Sequence, residues 1–479
     1  MSSVRATVDG LRNARARQLR ARLERPIRRR IFPSGTATSL RPLDGAAELW
    51  RTDAFAAAHD VLPGSRLAGF QSHYGEDVLA AARAGDAARA RELVGAWLRA
   101  HPPRVGDPWH PYTVSTRVGN WIAAATLLPE LADSELATAV HRHAAHLLAN
   151  VEDDVLGNHL IRNARGLALA GASLGDDRFT VAARSLLQRE LPVQVLADGG
   201  HYERSPAYHL VVMRDLMEIA RSSGWPEVDD ALLRMRAFAA ASARPDGVPA
   251  QFNDGAVDLA PSLEVAAPTS GVALFPDSGY AFVCDGDLWL AFDCGDPSPR
   301  YLPPHAHADI LSFQLWHRGR PLIVDPGTYT YEAGEDRQWF RGTAAHSTIA
   351  LDGRDQVELW GAFRGALFPS VDRIELAGPR ALSGAVRWRN GVVHRRTITW
   401  DADYVRVADE LLGDGVHRVR STLPLGSGAV DATASGGNAR REPAWLSERF
   451  GQRRAIEALV VDQEFRLPCS LGWEVRLAP

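Results

Sequence analysis

The chain has 479 residues, 46% of them apolar, and a net charge of −4, which fits a globular protein of about two domains and offers no basic surplus for a nucleic-acid partner. All 54 of its basic residues are arginine. Without a lysine the chain cannot form a Schiff base or a pyridoxal adduct, nor hold a phosphate as a P-loop does.

The first domain-sized feature is preceded by an extension, residues 1–45, with ten arginines between Arg5 and Arg30 against only Asp9 and Glu24. No apolar stretch of signal-peptide length follows these arginines, so no export signal is expected and a cytoplasmic location is the working assumption. The extension reads as a solvated helical segment or as a peripheral tether to an anionic surface. Nowhere do eighteen apolar residues run together, so no membrane span is expected.

From residue 46 to 268 the chain repeats amphipathic stretches of ten to twenty residues closed by Gly, Pro or Asp, among them 76–101, 114–131 and 158–174. Apolar residues recur at spacings of three and four, which predicts helices, and the short breaks predict antiparallel helical hairpins. From 269 to 479 the pattern changes to short alternating or apolar runs, such as YAFVC, LWLAFDC, RRTITW and YVRVAD, separated by Gly, Asp and Pro. These predict strands packed as an antiparallel β-sandwich, so the fold class is α+β with two large domains. The three cysteines, Cys284, Cys294 and Cys469, form no spaced framework and read as core residues.

Chemistry concentrates in three segments. In NHLIRNA, 158–164, Asn158 and His159 open a helix; they can grip a carboxylate, or merely cap the helix and satisfy a core hydrogen bond. In HYERSPAYH, 201–209, Ser205 is a good N-cap and Pro206 suits the first helical position, which puts Tyr208 in the first turn. A helix N-terminus favours the anion, so tyrosinate is expected there, although a tyrosine at such a position can equally be core. The third segment, 305–348, holds His305 in HAHAD, Asp325 in VDPGTY and His346 in AAHST. His305 follows two prolines and is expected in an exposed loop, with His307 beginning a strand. Asp325 can also start a turn and His346 can be a buried strand residue.

The ordered set WHPYTVSTRVGNW (109–121), NHLIRNA, DGGHYERSPAYH (198–209), FNDG (252–255) and HAHAD to AAHST resembles the heparinase II/III superfamily of polysaccharide lyases. The resemblance implies an incomplete (α/α) toroid joined to the sandwich, with the active cleft between them and an acidic polysaccharide as substrate. It implies that Asn158 and His159 face the uronate carboxylate, that Tyr208 is the catalytic tyrosine with Tyr202 as second candidate, and that His305 lies in the cleft. It also implies a zinc ion held by His307, Asp325 and His346. Arg341 and Asn253 are further candidates for contact with substrate, and Arg341 can equally pair inside the fold.

Such a cleft would have to remove the proton on carbon 5 of a uronic acid and expel the oxygen on carbon 4. That carbon acid is weak until its carboxylate is neutralised, so a neutraliser, a base and an acid are needed together. Three rivals share parts of the pattern. HAHAD offers His305, His307 and Asp309 to a metallo-β-lactamase-like hydrolase, a uronate C5-epimerase would use the same proton abstraction, and a non-catalytic glycan-binding protein would need no Tyr208. A glycoside hydrolase is disfavoured because no acidic pair stands out.

Overall fold

The computed structural model describes residues 2–51, 64–259, 263, 265–426 and 430–477. Part of the expected helical half, residues 52–63, lies outside the described residues. The remainder is a succession of helices from Asp44–Arg51 to Pro226–Ser242, and strands begin at Gly271–Phe275. Asp133, Asp176 and Ser205 cap their helices by accepting backbone N–H groups, while Gly175 and Gly224 end theirs at φ 68° and 63°. The stretch 76–101, which the sequence reads as one helix, is broken at Gly85 into Glu76–Arg83 and Ala87–Ala100.

Pro111–Leu127 is buried on every side from Thr113 to Thr126. A helix without a solvent face belongs at the middle of a layered bundle, and it packs against Glu76–Arg83, Ser134–Ala149 and Asn158–Leu174. Asn158–Leu174 in turn meets Asp177–Gln194 and Pro206–Ser223, so successive helices form an incomplete toroid of hairpins around one apolar core.

The second half is a set of antiparallel sheets enclosing a separate core. Five strands from Gly271–Phe275 to Arg320–Ile323 follow each other as a meander, and Tyr404–Leu412 lies in a larger sheet between Val393–Trp400 and Cys469–Arg476. Tyr404–Leu412 alternates exposed and buried residues along its length, as a strand with one face on the core must. One buried position is charged. Arg396 and Asp409 are direct cross-strand partners, and Nε and Nη2 of the arginine donate to the two carboxylate oxygens at 2.7 and 2.9 Å. Arg396 also donates to the carbonyls of Leu311 and Ser347. This fork therefore fastens the large sheet to the two loops that carry the site.

The arginine-rich extension is not free in solvent, which corrects the reading of it as a solvated segment. Its helices, Ser2–Asn13 and Ala16–Arg28, are docked. Arg17 pairs with Glu190 at 2.6 Å and Arg25 with Asp154 at 2.8 Å on the toroid. Arg15 lies over the Tyr301 ring and Asp9 accepts the Leu367 N–H on the sandwich side. The extension thus braces both halves.

Candidate active site

At the junction lies a cleft of about 680 Å³. The toroid contributes Tyr112, Asn158, His159, Glu203 and Tyr208; the sandwich contributes His305, Tyr331 and Phe363.

Tyr208 stands where the local sequence predicts. Ser205 accepts its N–H at 3.1 Å, Pro206 is the first helical residue, and the ring lies flat on the His305 imidazole with centroids 3.8 Å apart. Its hydroxyl shares a hydrogen bond with Tyr331 at 2.9 Å. The expectation of tyrosinate fails in the free protein: burial, together with Tyr331 and Asp254, holds the phenol well above its usual pKa. Desolvation outweighs the helix end.

His305 is clamped between two carboxylates, Nδ1 to Asp254 at 2.9 Å and Nε2 to Glu203 at 3.2 Å. Burial opposes the charge of Asp254, but the Arg337 guanidinium and the two imidazoles keep it well below the usual carboxylate range. Glu203 accepts the Asn158 N–H at 2.5 Å, at the N-terminus of Asn158–Leu174. That approach requires Gly157: its φ is 62°, and a Cβ there would lie 2.2 Å from the Glu203 carboxylate. The Oδ1 atom of Asn158 is buried without a partner, and amide orientation is set by the network around it.

His159 faces the cleft beside Tyr112, and its Nδ1 is 3.1 Å from Glu152. Burial opposes the imidazolium, yet the Glu152 charge and hydrogen bond outweigh it and raise the His159 pKa. Burial likewise opposes the Glu152 anion, but His159, His110 and the Asn163 amide bring it down to about 2. The pair therefore favours the protonated form of the imidazole at the cleft.

Behind His305, three buried ligand atoms converge. His307, Asp309 and His346 are the one group of this kind among the described residues, with ligand atoms within 4.8 Å of one another. His307 Nε2 is 3.1 Å from Asp254 and His346 Nδ1 is 2.9 Å from Asp325, so each ring donates through one nitrogen and turns a lone pair inward on the other. His307 Nδ1, His346 Nε2 and Asp309 Oδ1 have no partner. Two imidazoles and a carboxylate fit a divalent ion such as zinc. One member of the expected set does not join the cluster: Asp325 orients His346 and accepts the Gly327 N–H at 2.9 Å, and Asp309 lies with the two histidines instead. His307 does not begin a strand either; the strand starts at Phe313. The alternative set of His305, His307 and Asp309 is not formed, because His305 turns to the cleft.

The two expected substrate contacts, Arg341 and Asn253, and the second candidate tyrosine, Tyr202, are corrected by burial. Arg341 is fully enclosed and donates to the carbonyls of Ala306 and Ala362. Asn253, also enclosed, accepts the His307 N–H at 2.7 Å and donates to the Arg204 carbonyl. The Tyr202 hydroxyl accepts the Gly157 N–H at 3.0 Å beneath the cleft floor. Sequence reasoning also overlooked Glu203, Asp254, Glu152, Tyr331 and Arg337. Glu203 and Asp254 were visible as the single acid in each of the motifs HYERSPAYH and FNDG. They are an acidic pair, but His305 lies between them and Arg337 occupies both oxygens of Asp254, so they do not form the free pair of a glycoside hydrolase.

A helical toroid set on an antiparallel sandwich, with a cleft carrying tyrosine and histidine side chains and a buried histidine cluster at the seam, defines a two-domain architecture. Comparison with known proteins names it. The model described as "Heparinase II/III N-terminus" matches residues 96–278 and "Heparinase II/III-like, C-terminal" matches 267–473. The chain belongs to the heparinase II/III-like family. It is 23% identical over 417 residues to a heparin-sulfate lyase of Bacteroides stercoris, covering 72% of this chain and 61% of that protein. It is 28% identical over 424 residues to FtsZ-localized protein C of Caulobacter vibrioides, covering 81% and 70%. A crystal structure of heparinase III superposes with a TM-score of 0.69 at 16% identity, over 85% of this chain and 76% of that one. The heparan sulfate lyase of Pedobacter heparinus gives 0.62 at 17%, over 97% and 87%.

Proposed function

We propose that the protein is a polysaccharide lyase that cleaves a uronic-acid-containing chain by β-elimination. The observation that carries this reading is a single cleft lined both by the Tyr208 ring stacked on His305 and by Asn158 and His159. The relatives named as heparin-sulfate lyases support the class of reaction.

In this reading His159, whose protonated form Glu152 favours, and the Asn158 amide neutralise the uronate carboxylate, which lowers the barrier to losing the proton on carbon 5. The Tyr208 oxygen takes that proton and returns one to the departing oxygen on carbon 4. To act as base Tyr208 must first lose its own proton to solvent through the cleft, and the Tyr331 hydroxyl at 2.9 Å can then donate its hydrogen bond to the phenolate oxygen. His305, fixed by Asp254 and Glu203, stacks against the phenol and holds its ring in place. A zinc ion at His307, Asp309 and His346 would supply no chemistry to the sugar; it would brace the loop that carries His305.

Acidic glycans incubated with the protein should gain the ultraviolet absorbance of an unsaturated uronate, and Tyr208→Phe should abolish it with the fold intact. Full activity of that variant would overturn the assignment of Tyr208. Exchange of the proton on carbon 5 with solvent, without absorbance, would instead mark a uronate epimerase.

A further inference from the structure

The outer face of the helix Ala16–Arg28 is left uncovered by the docking of its inner face. Gln18 and Ala21 are buried, and Arg17, Arg25 and Arg28 are engaged by Glu190, Asp154 and the Ala149 carbonyl. On the opposite side Leu19, Leu23, Pro26 and Ile27 follow one another at helical spacing and all are exposed, Leu23 at 81% and Ile27 at 73%. Ile31, just past the end of the helix, and Val8 and Leu11 of the preceding helix are exposed as well. A leucine that open to water stabilises nothing in the fold, whereas burial against an apolar phase would be favourable.

The charge around the stripe selects the occupant. Arg12, Arg22 and Arg30 are exposed and have no acidic partner among the described residues; Arg20 pairs only with Glu24 of its own helix. A second copy docked by a two-fold axis would bring these same arginines face to face without counter-charge. An apolar stripe edged by arginines matches instead the boundary between headgroups and acyl chains of an anionic lipid layer. We infer that this face is a peripheral membrane-docking surface for anionic lipid. Arg25, on the same helix, lines the cleft, so docking would hold the cleft beside the lipid surface. The inference stands independently of the reaction proposed above.

Vesicle co-sedimentation of the full chain tests it. Binding is expected to phosphatidylcholine vesicles containing phosphatidylglycerol and not to phosphatidylcholine alone, and it should weaken as salt rises. The double variant Leu23→Glu, Ile27→Glu should bind at least about tenfold more weakly, with an unchanged unfolding temperature because neither side chain is packed. Arg22→Ser with Arg30→Ser should weaken binding and reduce its salt dependence. Failure of the wild-type protein to bind anionic vesicles, equal binding by the Leu23 and Ile27 double variant, or a stable dimer that this variant dissociates would overturn it.

Discussion

His305 and His307 share one carboxylate. Asp254 takes Nδ1 of the first through Oδ2 at 2.9 Å and Nε2 of the second through Oδ1 at 3.1 Å, so the cleft imidazole and the cluster imidazole are set by a single side chain. Arg337 supplies the opposing charge. Asp254→Asn would leave that guanidinium buried and unpaired, at a cost of about 3–5 kcal/mol. The variant should lose both cleavage and zinc binding, with a denaturant midpoint well below that of the wild type. Loss of activity with undiminished stability and metal content would show that Asp254 does not couple the two rings.

The ligand assignment separates two aspartates. Asp309 presents an unpartnered oxygen to the cluster, whereas Asp325 holds the far nitrogen of His346. Zinc titration followed by elemental analysis should find no bound ion in Asp309→Asn or His346→Ala. Asp325→Asn should keep the site with affinity weakened about 10–100-fold, as expected for a group that orients a ligand. If Asp325→Asn empties the site and Asp309→Asn does not, the set read from the sequence is the right one.

The pair of Glu152 and His159 sets a pH window. The Glu152 pKa lies below its usual 4.5, at about 2, so its contribution is complete above pH 4.5 and fades as pH falls toward 2. The His159 pKa is raised above 6.5, so its contribution is complete below that value and is lost as pH climbs through the raised pKa. The pair therefore stabilises most between pH 4.5 and 6.5. Glu152→Gln should cost about 1–3 kcal/mol near the middle of that window and less in alkaline solution, measured by urea unfolding. A constant difference across pH would remove His159 as the titrating partner.

Much of the fold was legible because periodicity reports burial. The alternation in Tyr404–Leu412 is a direct image of the face it buries, whereas Asn158–Leu174 is enclosed on nearly every side and was legible through its helix-forming residues and apolar spacing. The tyrosine and the histidines of the site were legible because local capping and family motifs name them. What remained hidden depends on distance through space. Nothing in the chain order tells that Glu203 and Asp254, 51 residues apart, close on one imidazole, or that Asp309 rather than Asp325 turns its free oxygen toward His346. Docking of the arginine-rich extension was hidden for the same reason: its partners Glu190, Asp154 and Tyr301 lie far along the chain.

Tyr202 and Arg341, both given structural roles by their burial, supply a final test. Tyr202→Phe removes the acceptor of the Gly157 N–H and leaves that donor buried, at a cost of about 1–3 kcal/mol. Arg341→Ala abandons several buried carbonyls, and its cost should be about 3 kcal/mol or more. Because neither side chain reaches the cleft, substrate titrations well below the unfolding temperature should return an unchanged KM for both variants, while their denaturation midpoints fall. His159→Gln should behave in the opposite sense, with KM rising and stability changing less than in Arg341→Ala. A raised KM in Arg341→Ala at full folding would restore that arginine to the binding surface.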